Sequence, residues 1–335
     1  MHLPCFLAAA PFLTMHAMAQ NNTVPRTRNI FQNEISLVTE NDNYTLRGRD
    51  GYYTNGIYLK FIHAVNTKKI SCFKNRPAIE KVVNGFELGQ AIYNPVSYNR
   101  PIPSVQDRPF AGYLSFKFDQ HIFYNKHTVL EWAATLGTIG PNSFGKNVQR
   151  WYHNVIGIYD VKGWPYQVKN EMSVNLKTAY YRSLLKSDPV KNIINIDGFA
   201  IGNLGNAFTN LSAGVTFKLG LVENHNNSSH FGARVAAPVG SKQVRNYELY
   251  FEYEPSATWQ LYSAVLQGGL FIKDKGPVIV PIKALVYSNR LGIHYAQNTT
   301  TVSVVYTNRT RQATTQQRNE NFCSIQFAHR FSKLK

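Results

Sequence analysis

The sequence predicts an all-β protein: a transmembrane antiparallel β-barrel of about 12 strands with a short helix in one outer loop. Three observations carry that expectation. Tyr and Phe number 20 each while charged residues make up only 16% of the chain, a balance that suits the pleated surface of a sheet. Long segments alternate apolar and polar residues with a period of two, the spacing that puts successive side chains on opposite faces of a strand. The non-apolar face carries Lys, Glu and Arg along strands of ~10 or more residues, which a water-filled or ion-paired barrel interior accommodates.

At the N-terminus, the first 19 residues contain no Lys, Arg, Asp or Glu. An apolar run opens at Cys5-Phe6-Leu7-Ala8-Ala9-Ala10 and ends at Ala17-Met18-Ala19 before Gln20. These are the h-region and small-residue cleavage site of a secretory signal peptide, without the usual basic n-region. The expected organisation is a signal peptide at 1-19 and a single outer-membrane barrel domain at 20-335. Pro11, Thr14 and His16 interrupt the run as a membrane anchor, and no other stretch approaches the ~20 apolar residues of a spanning helix. Cleavage would leave Cys72 and Cys323, too few for a disulfide framework. The formal net charge of +17 calls for an anionic partner; export and the lack of a nucleic-acid-binding motif favour a phosphate-bearing membrane surface.

Strand one is expected at 33-42. Ile35 and Leu37 share one face, and Glu40 and Asp42 the other, which would turn both carboxylates inward, with Asn41 where the chain turns out. Strand two, 53-64, sets Tyr53, Ile57, Leu59 and Phe61 against Thr54, Gly56, Tyr58 and Lys60, so Thr54 is expected to face inward too. Further strands are expected at 83-93, 110-121, 127-138, 171-182, 192-204, 209-221, 246-262, 281-295, 299-307 and 320-331. The alternation is clean in Met172, Val174 and Leu176 against Ser173, Asn175 and Lys177, and again in Ile325 and Phe327 against Ser324 and Gln326. Inward charges of both signs, Lys60, Glu87, Glu131, Lys177, Lys218 and Arg330, should pair across a narrow lumen.

An even strand count returns both termini to the periplasmic side and leaves the connections 43-52, 94-109, 139-170, 205-208, 263-280 and 308-319 outside. Cys72 then falls in an inner turn and Cys323 near the outer end of the last strand, so no bridge between them is expected. The longest outer loop, 139-170, should hold a helix over Ser143 to Ile158, begun by Pro141-Asn142 and closed near Gly163. Gln149 and His153, four residues apart, would share one face of it, and the helix would hold a side chain over the lumen more firmly than a loop could.

An aspartate, an amide, a hydroxyl and a loop histidine at one mouth suit hydrolysis. Asp42 could hold Ca²⁺, which prefers oxygen ligands, and His153 could act as general base on water. Taken singly, Asn-Asp and Asn-Gly are ordinary turn residues. The chain lacks a G-x-S-x-G elbow, an H-E-x-x-H pair, a P-loop and Cys/His zinc spacing, so zinc and nucleotide enzymes drop out; Ser143 stays open as a nucleophile.

The order of motifs resembles the outer-membrane lipid A 3'-O-deacylases. The resemblance rests on Glu40-Asn41-Asp42, Tyr53-Thr54-Asn55-Gly56, Leu88-Gly89-Gln90-Ala91-Ile92-Tyr93-Asn94-Pro95, Asp107-Arg108-Pro109-Phe110-Ala111-Gly112, Gly140-Pro141-Asn142-Ser143 with Gln149 and His153, and Gly163-Trp164 with Gln167, Asn170 and Glu171. It implies a twelve-stranded barrel and a Ca²⁺-dependent esterase that removes the 3'-linked acyloxyacyl group from lipid A of the outer leaflet. By resemblance His153 activates water, Asp42 helps bind the metal ion, and Asn41 and Thr54 position the site. Arg100 stands where the family places an oxyanion-stabilising lysine, a planar fork in place of a point charge. Tyr159 stands where the family has a glutamate beside the histidine. Against this reading stand a non-catalytic lipid-binding or pore-forming barrel, and a phospholipase using the same site.

Overall fold

The period-two pattern is realised as a single closed antiparallel sheet. The computed structural model describes residues 30–45, 51–74, 76–96, 102–124, 127–157, 159, 161–185, 193–236 and 246–332; the signal-peptide assignment at 1-19 and Arg100 lie outside them. Twelve strands follow in chain order: β1 (Asn33–Asn41), β2 (Tyr52–Ala64), β3 (Ile79–Asn94), β4 (Ala111–Tyr124), β5 (Thr128–Ile139), β6 (Glu171–Ser183), β7 (Ile194–Gly205), β8 (Phe208–Leu221), β9 (Tyr247–Ser263), β10 (Leu285–Gln297), β11 (Thr300–Arg309) and β12 (Glu320–Phe331). Each pairs with its sequence neighbours, and β1 pairs with β12 to close the barrel. The closing seam runs from Asn33 opposite Phe331 to Asn41 opposite Cys323, and Ser324 donates across it to Glu40 at 2.6 Å. Cys323 is a free thiol, as its expected place at the end of the last strand requires.

Parity divides the barrel wall as the sequence led us to expect. Leu37, Leu59, Leu88, Phe116, Met172, Val174, Leu176 and Phe327 are exposed on the exterior, and no helix among the described residues is long and apolar enough to cross a membrane. The inward charges are paired: Lys60 with Asp119 at 2.8 Å, Lys117 with Glu87 at 2.8 Å, Lys177 with Glu131 at 2.7 Å, Lys218 with Asp197 at 3.0 Å and Arg330 with Glu34 at 2.7 Å. Ionised groups out of water persist only when their partners satisfy them, so the lumen holds matched pairs.

The lumen is filled at the end that carries the termini. There the connection between β8 and β9 folds inward, burying Asn226, Asn227, Ser228, Phe231, Arg234 and Val235. Phe231, Ala233 and Val235 pack on Ile62, Val83, Phe123 and Val129 of the wall, and Lys81 donates to the carbonyls of Ala233 and Val235 at 3.0 and 3.2 Å. Composition gave no sign of this plug, because its polar residues read as an ordinary loop. Beneath the opposite rim, hereafter the distal rim, Val265, Leu266, Val280 and Ala313 from two connections join Tyr53, Tyr113 and Phe322 in an apolar cluster. A polar cavity of about 300 Å³ lies between the walls, bordered by Tyr93, Ser212, Glu254, Thr258 and Arg309.

Replacing Arg330 by Met should leave Glu34 buried without its cation, a loss of about 3–5 kcal/mol, read as a lower denaturant midpoint for the folded barrel. A midpoint equal to that of the unaltered chain would show that the pair contributes nothing net.

Candidate active site

The site is assembled at the distal rim from β1, β2, β3 and the long connection between β5 and β6. That connection forms a single-turn segment, Pro141–Ser143, followed by a helix, Gly145–Ile156, close to the expected span of 143 to 158. Pro141 at the first position supplies a fixed backbone angle and needs no amide partner. Gly157, at φ 72°, ends the helix in the left-handed conformation, its amide bonding back to the His153 carbonyl, the usual way a glycine closes a helix.

The helix lies against the outside of the barrel, which corrects the expectation that it holds a side chain over the lumen. The reason is steric. Gly112 of β4, on the exterior face, has no side chain, and a Cβ there would collide with Ser143 Oγ and stand 3.0 Å from Gly145 Cα. Two glycines therefore let helix and strand backbones touch. Around that contact Ile92, Phe110, Val161 and Trp164 form a buried cluster with Val148 packed on it, all on the outer surface of the wall.

Thr54 is likewise corrected. A β-bulge between Tyr53 and Asn55 shifts the register of β2 against β3 and reverses the parity that Ile57, Leu59 and Phe61 suggested for the strand's start. Tyr53 consequently points inward, where its hydroxyl donates to Glu40, and Thr54 lines a cleft on the exterior together with Asn41, Asn55, Ile92, Gln149 and His153. Tyr52, just before the bulge, has φ 68°, an uncommon backbone state for a bulky residue. Its hydroxyl donates to Asp107 at 2.6 Å and accepts the Gln317 amide at 2.7 Å, contacts that hold it there.

Of the residues singled out from the sequence, the structure brings Asn41, Thr54 and His153 to this one cleft, whose cavity of about 10 Å³ is the room for roughly one water molecule. Asn41 Oδ1 accepts the Asn43 amide at 2.7 Å, a turn contact that also orients its amide group. Asp42, the next residue, is buried one step past the end of β1; its Oδ2 accepts the Gly51 amide at 2.7 Å, and its own amide reaches the Thr54 carbonyl at 3.4 Å. It tethers the start of β2 beside the cleft and is not among the residues that line the cavity. Ser143 is excluded as a nucleophile by place: it is fully buried under the helix start and donates to the Gly140 carbonyl at 2.6 Å.

His153 sits in the last helical turn, buried, with Nδ1 2.7 Å from the Tyr159 carbonyl oxygen. A carbonyl only accepts, so Nδ1 carries the hydrogen and Nε2 is the basic nitrogen of the ring. The backbone of Tyr159 thus orients the imidazole at the position where the resemblance implied a glutamate, and its ring stands edge-on to His153 at 5.4 Å. Gln149, one turn earlier, is the residue that sequence reasoning placed on the right face but left without a role. Trp164 Nε1 donates to its Oε1 at 2.8 Å, which leaves the NH₂ group directed elsewhere, and that nitrogen is buried with no hydrogen-bond partner among the described residues. The Gly163-Trp164 motif was the signal that could have pointed to this amide.

Two further oxygens, Thr54 Oγ1 and Asn55 Oδ1, are buried without hydrogen-bond partners among the described residues. These two oxygens and the Asp42 carboxylate are all of the ligand type that a hard cation such as Ca²⁺ accepts. No cluster of three or more His, Cys, Asp or Glu suited to a metal ion occurs among the described residues, so such an ion would rest mainly on neutral oxygens. At the same rim, the guanidinium of Arg108 is fully buried against Glu320 at 3.3 Å; burial lowers its pKa, opposed by the carboxylate.

A closed twelve-stranded barrel with an apolar exterior, an ion-paired lumen and a cleft on its outer wall has the architecture of an outer-membrane protein. The family model for outer membrane protein LpxR matches residues 5–331, and the chain belongs to that family, the outer-membrane lipid A deacylases. Among solved structures, LpxR from Salmonella typhimurium superposes with a TM-score of 0.68 at 19% identity, covering 89% of this chain and 100% of that one; at this identity the likeness concerns the fold. The β domain of the Bordetella autotransporter BrkA gives a TM-score of 0.45 at 10% identity, over 91% of this chain and 100% of that one. No curated protein sequence matches the chain.

Changing Gly112 to Val should lift the helix off the wall. The expected outcome is faster proteolysis within 139–170 while the barrel still migrates as a folded, heat-modifiable species; unchanged cleavage would show that the glycine contact does not hold the helix.

Proposed function

We propose that this protein is an outer-membrane esterase that removes the 3'-linked acyloxyacyl group from lipid A, with His153 as general base on water and Ca²⁺ held at Asp42. The observation that carries the reading is the His153 imidazole, fixed through Nδ1 by a backbone carbonyl beside a one-water cleft that Asn41, Thr54 and Gln149 also line.

In this mechanism a water molecule in the cleft attacks the ester carbonyl carbon as its proton passes to His153 Nε2, general base catalysis that contributes on the order of 10²–10⁴-fold. The Gln149 NH₂ group, whose other end is pinned by Trp164, donates to the developing oxyanion, as fixed donors in a dry site do. Arg100 supplies positive charge to the same oxygen. Collapse of the tetrahedral intermediate expels the sugar oxygen, which takes the proton back from His153, so ester and water become carboxylic acid and alcohol. Asn41 and Thr54 orient water and ester. When bound at Asp42, with Thr54 and Asn55 as further oxygen donors, Ca²⁺ would polarise the ester carbonyl as a Lewis acid.

The even strand number and the termini at one end support an outer-leaflet position for the distal rim. The net charge of +17 matches a diglucosamine that bears phosphates. The filled lumen, plugged by 222–236 and capped by the apolar cluster at the distal rim, speaks against the pore reading.

Lipid A mass spectrometry from cells that carry the chain is expected to show loss of the 3' acyloxyacyl mass. His153→Ala should reduce that conversion by about 10³-fold, Asp42→Ala should abolish its dependence on added Ca²⁺ along with most activity, and a chelator should act like the latter change. Gln149→Ala should cost roughly 10²-fold in rate with little change in substrate affinity. Full activity in both His153→Ala and Asp42→Ala would sink the mechanism.

A further inference from the structure

The loop helix presents an arrangement that a helix on a water-exposed wall would avoid. Set out at 3.6 residues per turn, its residues fall into three sectors. The buried sector carries Gly145, Gln149 and His153. On one flank away from it lies a polar sector, with Asn147, Arg150 and Asn154 exposed. On the other flank runs an apolar edge: Trp151 is 62% and Val155 65% exposed, with Phe144 at the helix start 58% exposed. Apolar residues normally face the protein; here the wall side carries the amide and imidazole, and large apolar groups point away.

The barrel surface beside that edge is continuous with the membrane belt. Across β1, β2 and β3 the register stacks Asn41, Asn55 and Ile92 in the row of the cleft, then Thr39, Ile57 and Gln90, then Leu37, Leu59 and Leu88. The three leucines are exposed, and they lie four residues from the cleft, roughly 13 Å along the strands. Trp151 and Ile57 both line the cleft, so its walls carry apolar side chains from the helix on one side and from the belt-facing strand surface on the other.

We propose that this helix lies in the membrane interface, with Trp151 and Val155 among acyl chains and the Arg150 edge toward the headgroups, and that a lipid acyl chain enters the cleft laterally beneath it, along Leu59 and Ile57. Three-sided helices of this kind, basic and polar on one flank and apolar on another, rest at the headgroup and acyl boundary, and Trp is favoured there because its ring is amphipathic. The substrate thus reaches His153 from within the leaflet, and the chain to be released need not leave the hydrocarbon to do so. The placement of the helix stands on geometry alone; the entry route rests on the esterase reading above.

The test uses the full chain reconstituted in bilayers. Trp151→Phe keeps the edge apolar, and the emission of the native chain minus that of the variant isolates Trp151 from the other tryptophans. That difference signal is expected to be quenched by lipids brominated within the acyl chain and poorly by aqueous acrylamide. Quenching by acrylamide with no effect of brominated chains would overturn the placement. Val155→Asn, on the same edge and outside the cleft lining, is expected to slow deacylation of bilayer lipid A about tenfold, and an unchanged rate would overturn the entry route. Should the native chain leave lipid A intact, the catalytic reading falls, and the quenching data still decide where the helix lies.

Discussion

The contact between Gly112 and Gly145 is the constraint from which the site follows. Polar side chains on the exterior of a membrane barrel would face hydrocarbon, where an unsatisfied hydrogen-bonding group costs several kcal/mol. Asn41, Thr54 and Asn55 lie on that exterior at the rim, and they are buried because a helix covers them. The helix approaches closely enough to do so only where both backbones lack a Cβ. The cover also delivers the imidazole and amide that those polar groups face.

The interior solves a different problem by different means. Its charges lie in matched pairs, and the plug and the apolar cluster occupy the two ends. Such pairs are poor sources of net stability, yet each is costly to break singly. A filled, cross-linked lumen gives a wall that does not flex, and a rigid scaffold is what a cleft with room for one water needs if its groups are to keep their spacing.

Much of this was legible in the sequence. All twelve strands lie within a few residues of their expected spans, because a sheet with one apolar and one polar face writes its period directly into the chain. Lys60, Glu87, Glu131, Lys177, Lys218 and Arg330 were identified as inward, though not the Asp119, Lys117, Asp197 and Glu34 that pair with four of them, and the shared face of Gln149 and His153 followed from their spacing. The side of the wall on which they act was not legible. Parity carried back from Ile57 fails at the Tyr53–Asn55 bulge, since a bulge adds a residue without altering the residue types around it. The partner of His153 was hidden for a related reason: it is the carbonyl of Tyr159, and every residue has one. The plug escaped notice because its order comes from the lumen that surrounds it.

The closing seam gives the site a place in time. Asn41 belongs to the first strand and stands opposite Cys323 of the last, so the residue that begins the cleft is locked only when the two ends of the chain have met. Synthesis makes these neighbours first and last, and every other strand has to be laid between them. Formation of the cleft is therefore coupled to completion of the cylinder: a chain with an open seam has its helix and histidine but no finished wall for them to close upon. The finished cleft becomes a certificate of assembly, issued where the barrel is closed and nowhere earlier on its route.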